Sequence, residues 1–225
     1  MKIDHNNKLY RERWERAGRN KYNGAFYYSK EIVKNIIPNV KTDRNWITVN
    51  IPGLGKDHSI IFIHNNLHPE HYDWLKNYKD IVLVCGIPET VDKVKHLGKA
   101  IYLPLSVDTE YLKQFKVDKE EKHGTAFVGR PSKRKLDGVE LPPDIDIIEG
   151  IPRNQMLEKM AKYETVYAVG RTAIEAKALG CKLKAYDPRF PKVSFWKVVD
   201  NKKAAQMLQE ILDEIDGRDD DGTDM

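Results

Sequence analysis

The sequence predicts an α/β protein made of two parallel-sheet lobes. Short, continuous, β-branched apolar runs recur along the chain, and only a sheet covered on both faces can bury such strands. Amphipathic stretches at helical spacing separate them, and the scheme repeats in each half of the 225 residues, a length that suits one large or two small domains.

In the first half, Ser29 is placed to cap a helix whose apolar residues Ile32, Val33, Ile36 and Ile37 share one face, with Pro38 as its stop. The preceding Tyr22-Asn23-Gly24-Ala25-Phe26-Tyr27-Tyr28 fits a first strand and glycine turn, or an aromatic core segment. Strands are expected at 46–50, 60–63, 81–85 and 100–103. Pro69 opens a helix through Tyr72, Trp74, Leu75 and Tyr78, and a second helix spans 89–97.

The second half predicts strands at 125–128, 145–148, 165–169 and 182–186, with helices at 154–162 and 172–179. A closing helix at 202–215 carries Ala204, Met207, Leu208, Ile211, Leu212 and Ile215 as a core-facing stripe. The boundary falls near 104–108. This gives an acceptor-side Rossmann-like lobe at 1–104, a second Rossmann-like lobe at 105–216 that includes the closing helix, and a disordered acidic tail at 217–225.

Composition narrows the class. With 40% hydrophobic and 32% charged residues, the chain can bury a core and keep a wet surface. No run approaches the roughly 20 apolar residues of a membrane span, and the N-terminus lacks the apolar centre of a secretion signal, so a cytoplasmic protein is expected. Cys85 and Cys181 belong to no metal-spaced cluster and read as buried free thiols. The histidines lack ligand spacing, so no metal site is expected; no bound cofactor is expected either. The net charge of +4 suits anionic ligands.

Three loops carry the chemistry. The strand at 165–169 runs into Gly170-Arg171-Thr172 and a helix with Glu175 one turn in. Glycine permits a sharp turn and close ligand approach, the free amides at the helix start favour an anion, and a carboxylate there can accept hydrogen bonds from a ribose or hexose hydroxyl. Gly180 suits the αL position that closes the helix. The strand at 125–128 ends in Gly129-Arg130 and releases Lys133, Arg134 and Lys135. Arg130 offers a planar fork for phosphate oxygens and Lys133 or Lys135 a mobile charge, although the segment also reads as a solvated basic loop. Gly150-Ile151-Pro152 can present backbone groups to a nucleobase edge, and equally reads as a plain turn.

In order and spacing these loops resemble the donor-binding domain of GT-B glycosyltransferases. Val128-Gly129-Arg130 with Lys133 or Lys135 corresponds to the family's diphosphate-binding loop, Gly150-Ile151-Pro152 to its base-facing turn, and Gly170 to Gly180, with Arg171, Thr172 and Glu175, to the passage that binds sugar, phosphate and ribose. The passage from Leu103 to Tyr111 is similar to the segment joining the family's two lobes. The resemblance covers about half of the chain, from Leu103 to Tyr186, while residues 1–100 share only the alternating pattern. Retaining members often carry a glutamate eight residues before the second, where this chain has Tyr167.

The resemblance implies a metal-independent hexosyltransferase whose two lobes face a cleft. It would take a nucleotide-diphosphate sugar as donor substrate and pass the sugar to a hydroxyl of unknown identity. His64, at the end of the predicted strand 60–63, is a candidate base or oxygen ligand, or part of a turn leading to Pro69. The implied catalytic set is His64, Arg130 and Glu175, and the donor set adds Gly129, Lys133, Lys135, Gly150, Ile151, Gly170, Arg171 and Thr172. Two alternatives stay open. One is a catalytically inactive nucleotide-sugar binder, motivated by Tyr167 and the short first lobe. The other is a glucosyltransferase acting on a modified base of DNA, for which the arginines and aromatics of residues 10–16 and the basic charge speak; those residues also read as an exposed helix.

Overall fold

The computed structural model describes residues 24–48, 55–63, 69–129, 139–186 and 190–217. The chain divides into two units, one formed chiefly by Ala25–Pro104 with the segment from Asn201 onward, the other by Leu105–Asp200. Each holds a four-stranded parallel sheet.

In the first unit β1 (Asn45–Ile47), β2 (Ser59–Ile63), β3 (Ile81–Cys85) and β4 (Lys99–Tyr102) lie side by side in chain order. Every residue of β2 and β3 is buried, which is why those strands read as unbroken apolar runs rather than alternating ones. A 3₁₀ helix (Pro69–Asn77) and helix α2 (Pro88–Val94) join the strands. Leu75 and Val94 pack with Ile61, Ile63 and Leu83 in one core. Cys85 is buried there, and desolvation pushes its thiol up to about 12, which makes it unreactive.

Two expectations for this unit are corrected. Gly24–Glu31 is helix α1, so the aromatic segment is not a strand, and Ser29 lies within that helix rather than capping it. The Ser29 hydroxyl is buried and donates to Thr48 Oγ1 at 2.6 Å. The helical run continues through a π turn (Ile32–Ile36) and ends in a 3₁₀ turn (Ile37–Asn39). Pro38 does stop the helix as expected, since it has no N–H to donate.

The closing helix α6 (Asn201–Asp216) belongs to the first unit, not to the second lobe where the sequence placed it. Its periodicity defines a buried face, Ala204, Leu208 and Leu212, but cannot say which partner covers that face. Long-range polar contacts identify the partner. Gln209 Nε2 donates to Lys41 O at 3.1 Å, and Asp216 Oδ1 accepts from Arg44 Nε and Nη2 at 3.1 and 2.7 Å.

At the entrances to β1, β2 and β3, His58 pairs with Asp80 at 2.5 Å and with Asp43 at 3.3 Å. His58 and Asp80 both hold positive φ, at 55° and 48°. The bond to Asp80 raises the imidazole's pKa, and the imidazolium lowers that of Asp80. A raised histidine stabilises the fold fully below its unfolded value, about 6.5, and loses that contribution as pH rises through its folded value. The lowered Asp80 contributes above about 4 and loses its share as pH falls. His58→Asn, a residue that tolerates positive φ, is therefore expected to lower the melting temperature most between about pH 4 and 6.5. The gap from wild type should close above neutrality, and a gap constant from pH 5 to 8 would refute the pairing.

In the second unit the strands β5 (His123–Val128), β6 (Asp146–Ile148), β7 (Tyr163–Tyr167) and β8 (Lys182–Lys184) are ordered β6-β5-β7-β8. The chain steps outward from β5 to β6, then crosses β5 to reach β7, so strand order reverses between β5 and β7. Helix α3 (Thr109–Lys113) precedes the sheet and is capped by Asp108, which accepts from Tyr111 N at 2.9 Å. Helix α4 (Arg153–Ala161) joins β6 to β7 and α5 (Arg171–Ala178) joins β7 to β8. Gly180, at φ 81°, closes α5 as expected: Cys181 N reaches Ala176 O at 2.9 Å and Gly180 N reaches Lys177 O at 3.0 Å.

Lys122 supports the far ends of both helices, its ammonium donating to the carbonyls of Ala161 and Leu179. The cation satisfies terminal carbonyls and meets the negative ends of two helix dipoles. Lys122→Met should cost about 2 kcal/mol, read as a lower denaturation midpoint. A loss too small to measure would mean that water serves those carbonyls equally well.

Candidate functional site

Open α/β sheets bind ligands outside the carboxyl ends of their strands, where the strand order reverses. In the second unit that point lies between β5 and β7, paired side by side through Phe127 and Tyr167. Gly129 follows β5 with φ 146° and donates to Ile148 O at 3.1 Å. The described strands of the first unit show no such reversal.

After β7 the chain turns at Gly170, with φ 65° and ψ −141°. A residue with a Cβ is strained in this conformation. Gly170 is the N-cap of α5, and its carbonyl accepts from Ala173 N at 3.1 Å. A helix start leaves its first amides without intrahelical partners. Here no side chain caps them and no acidic residue stands in the first turn, while Thr172 is half-buried at the second position.

One turn in, Glu175 is buried at 3% exposure. Its Oε1 accepts from Arg153 Nη2 at 2.7 Å and Nε at 3.2 Å, and meets Arg171 Nη2 at 3.1 Å. The two arginines are the first residues of α4 and α5. Arg153 also lies over the Tyr111 ring, 5.7 Å from its centroid, and Tyr111 Oη donates to Asn154 Oδ1 at 2.7 Å. A guanidinium stacked on an aromatic face and bonded through its edge has little freedom to turn.

Two guanidinium groups meet one carboxylate oxygen at the starts of two helices, whose dipoles disfavour cations.

The sequence and the structure meet unevenly here. Gly129, Gly150, Ile151, Gly170, Arg171, Thr172 and Glu175 all lie on loops or helix starts at the carboxyl edge of one sheet. Gly150, at φ 67°, and the half-buried Ile151 lead through Pro152 directly into Arg153. His64, Arg130, Lys133 and Lys135 lie outside the described residues, as do residues 10–16 and the tail beyond 217. Glu175, expected to hold donor hydroxyls, binds two arginines through Oε1. Arg153 and Tyr111 were missed. The available signal was a cation immediately before the predicted helix 154–162, where an acidic residue is the ordinary choice.

Comparison of the chain with protein-family models, with curated proteins and with solved structures gave no significant match. No described helix is long and apolar enough to cross a membrane.

Proposed function

We propose that the chain is a glycosyltransferase that moves a sugar from a nucleotide-diphosphate sugar to a hydroxyl acceptor. In this reading its two parallel sheets are the lobes of a GT-B enzyme and the second unit holds the donor. One observation carries the proposal: strand order reverses between the two strands whose exits bear the Val128-Gly129-Arg130 and Gly170-to-Glu175 passages. The convergence matters because the passages were recognised from residue order, whereas the reversal is a property of the sheet.

The chemical work lies in the leaving group. As the glycosidic bond breaks, negative charge grows on the diphosphate. The α5 amides and the Arg171 guanidinium stabilise it without reorganising, and Arg130 with Lys133 or Lys135 supplies further cations. His64 takes or guides the acceptor proton, and excluding water protects the donor from hydrolysis.

The test is a thermal-shift panel of UDP-, GDP-, ADP- and CMP-sugars, followed by a nucleotide-release assay with the donor that binds. One base class should raise the melting temperature, since a ligand at 100 times its Kd adds about 2.7 kcal/mol. Release of nucleoside diphosphate should then depend on an added hydroxyl acceptor. A panel without any shift would reject the donor site, and binding without turnover would leave a nucleotide-sugar binder.

A further inference from the structure

We infer that His58 is a proton-operated catch for the end of α6: as an imidazolium its ring ties the loop of residues 41–44 to the amino edge of the first sheet, and that loop carries the contacts that hold the helix. The catch lies wholly in the first unit and does not depend on the donor-site reading. Three observations support it.

The first is the state of the ring. His58 Nδ1 lies 2.5 Å from Asp80 Oδ2, and Nε2 lies 3.3 Å from Asp43 Oδ1. An ionised carboxylate can only accept, so serving both requires a proton on each ring nitrogen. Only the imidazolium has two. On deprotonation the ring keeps a single N–H, and the shorter bond, to Asp80, is the one retained. Asp43 then loses its hold on the ring.

The second is what the loop carries. Residues 41–44 run directly into β1, and the Lys41 backbone donates to Gln209 Oε1 at 2.5 Å and accepts from Gln209 Nε2 at 3.1 Å. Arg44 reaches Asp216 Oδ1 through Nε and Nη2. Gln209 and Asp216 bound the last two turns of α6, and Asp43 stands between the two residues that fasten them. The third is backbone conformation. Among the described residues, His58 and Asp80 are the non-glycine residues at positive φ, 55° and 48°. Such a backbone costs energy, and two residues that share it and bond to each other mark an arrangement held by its side chains.

The charged groups facing the ring are Asp43 and Arg44 from the loop before β1 and Asp80 from the loop before β3, with Asp57 and Lys79 adjacent through the backbone. Among them the ring is the group that ordinarily titrates between about pH 5.5 and 8.5. Its pKa is raised by the bond to Asp80, so the catch is closed below about pH 6.5 and opens as pH rises through the ring's higher folded value.

The test is hydrogen–deuterium exchange of the full-length protein from about pH 5.5 to 8.5, with labelling times scaled for the intrinsic rate and the His58 titration followed by proton NMR of its ring. Protection of the amides at 209–216 should fall about twofold to fivefold, with the same midpoint as the ring, while α5 in the second unit keeps its protection. Asp43→Ala leaves the ring bonded to Asp80 and should flatten the profile. His58→Asn should hold the same amides at their high-pH level throughout. A flat wild-type profile, an equal fall in α5, or a full response in Asp43→Ala overturns the catch. Should a variant fail to fold, the wild-type profile decides by itself.

Discussion

On the proposed function, Arg171→Ala should slow sugar transfer about a hundredfold or more, because a preorganised donor aimed at charge that develops in the transition state is commonly worth about 3 kcal/mol. The fold should survive. Glu175 keeps both of its bonds to Arg153, so its carboxylate is not orphaned, and alanine is the strongest helix former at an exposed or half-buried position. The melting temperature should thus stay within a few degrees while kcat falls. Donor KM should rise less, since the diphosphate acquires its extra charge only as the bond breaks. Lys159→Ala, which removes an equal charge from the exposed face of α4, is the control and should change transfer by less than about twofold, as a solvated charge at that remove is screened. Equal losses in the two variants would mean that general positive charge, not a placed guanidinium, governs the rate.

Strands were the legible part of the sequence because their physics is local. Ile60-Ile61-Phe62-Ile63 and Ile81 to Cys85 are apolar on both faces, and no exposed strand or short surface helix would tolerate that pattern. Glycines at strand exits were legible for a related reason: Gly170 lies in a conformation that other residues adopt only under strain. Misreadings arose where the answer depended on distant residues. Tyr22 to Tyr28 has β-like aromatic composition, yet Gly24–Glu31 is helical, with Ser29 bonded to Thr48 nineteen residues away. The stripe on α6 shows that it packs, but only Gln209 with Lys41 and Asp216 with Arg44 show against what.

The candidate site divides along the same line. Glu175 was singled out from its place in the helix, whereas its bond to Arg153 exists only because β6-β5-β7 order sets the starts of α4 and α5 near one another. Spacing along the chain cannot express that proximity. The arginines' position at helix starts is still a local anomaly, and such departures from ordinary helix electrostatics are useful pointers to ligands when no other pattern is present.

The largest stability loss is expected from Arg44→Met. Its side chain is only 4% exposed, donates to Asp80 O at 2.9 Å and Asp80 Oδ1 at 3.1 Å, and pairs with Asp216 at 2.7 Å. Methionine fills a similar volume and leaves the charges behind. Asp80 is 58% exposed and can turn to water, but Asp216 is 11% exposed and ends α6, where the helix dipole already disfavours a carboxylate. An orphaned, poorly solvated carboxylate of this kind costs about 3 kcal/mol or more, which for a unit of this size lowers the melting temperature by about 10 °C or more. The mechanism makes a second, sharper demand. Asp216→Asn in the Arg44→Met background removes the stranded charge and should restore part of the loss, so the double variant should be more stable than Arg44→Met alone. If the double variant is instead the less stable of the two, the loss comes from packing around the Arg44 stem, and the ion pair does not fasten the end of α6 to the first unit.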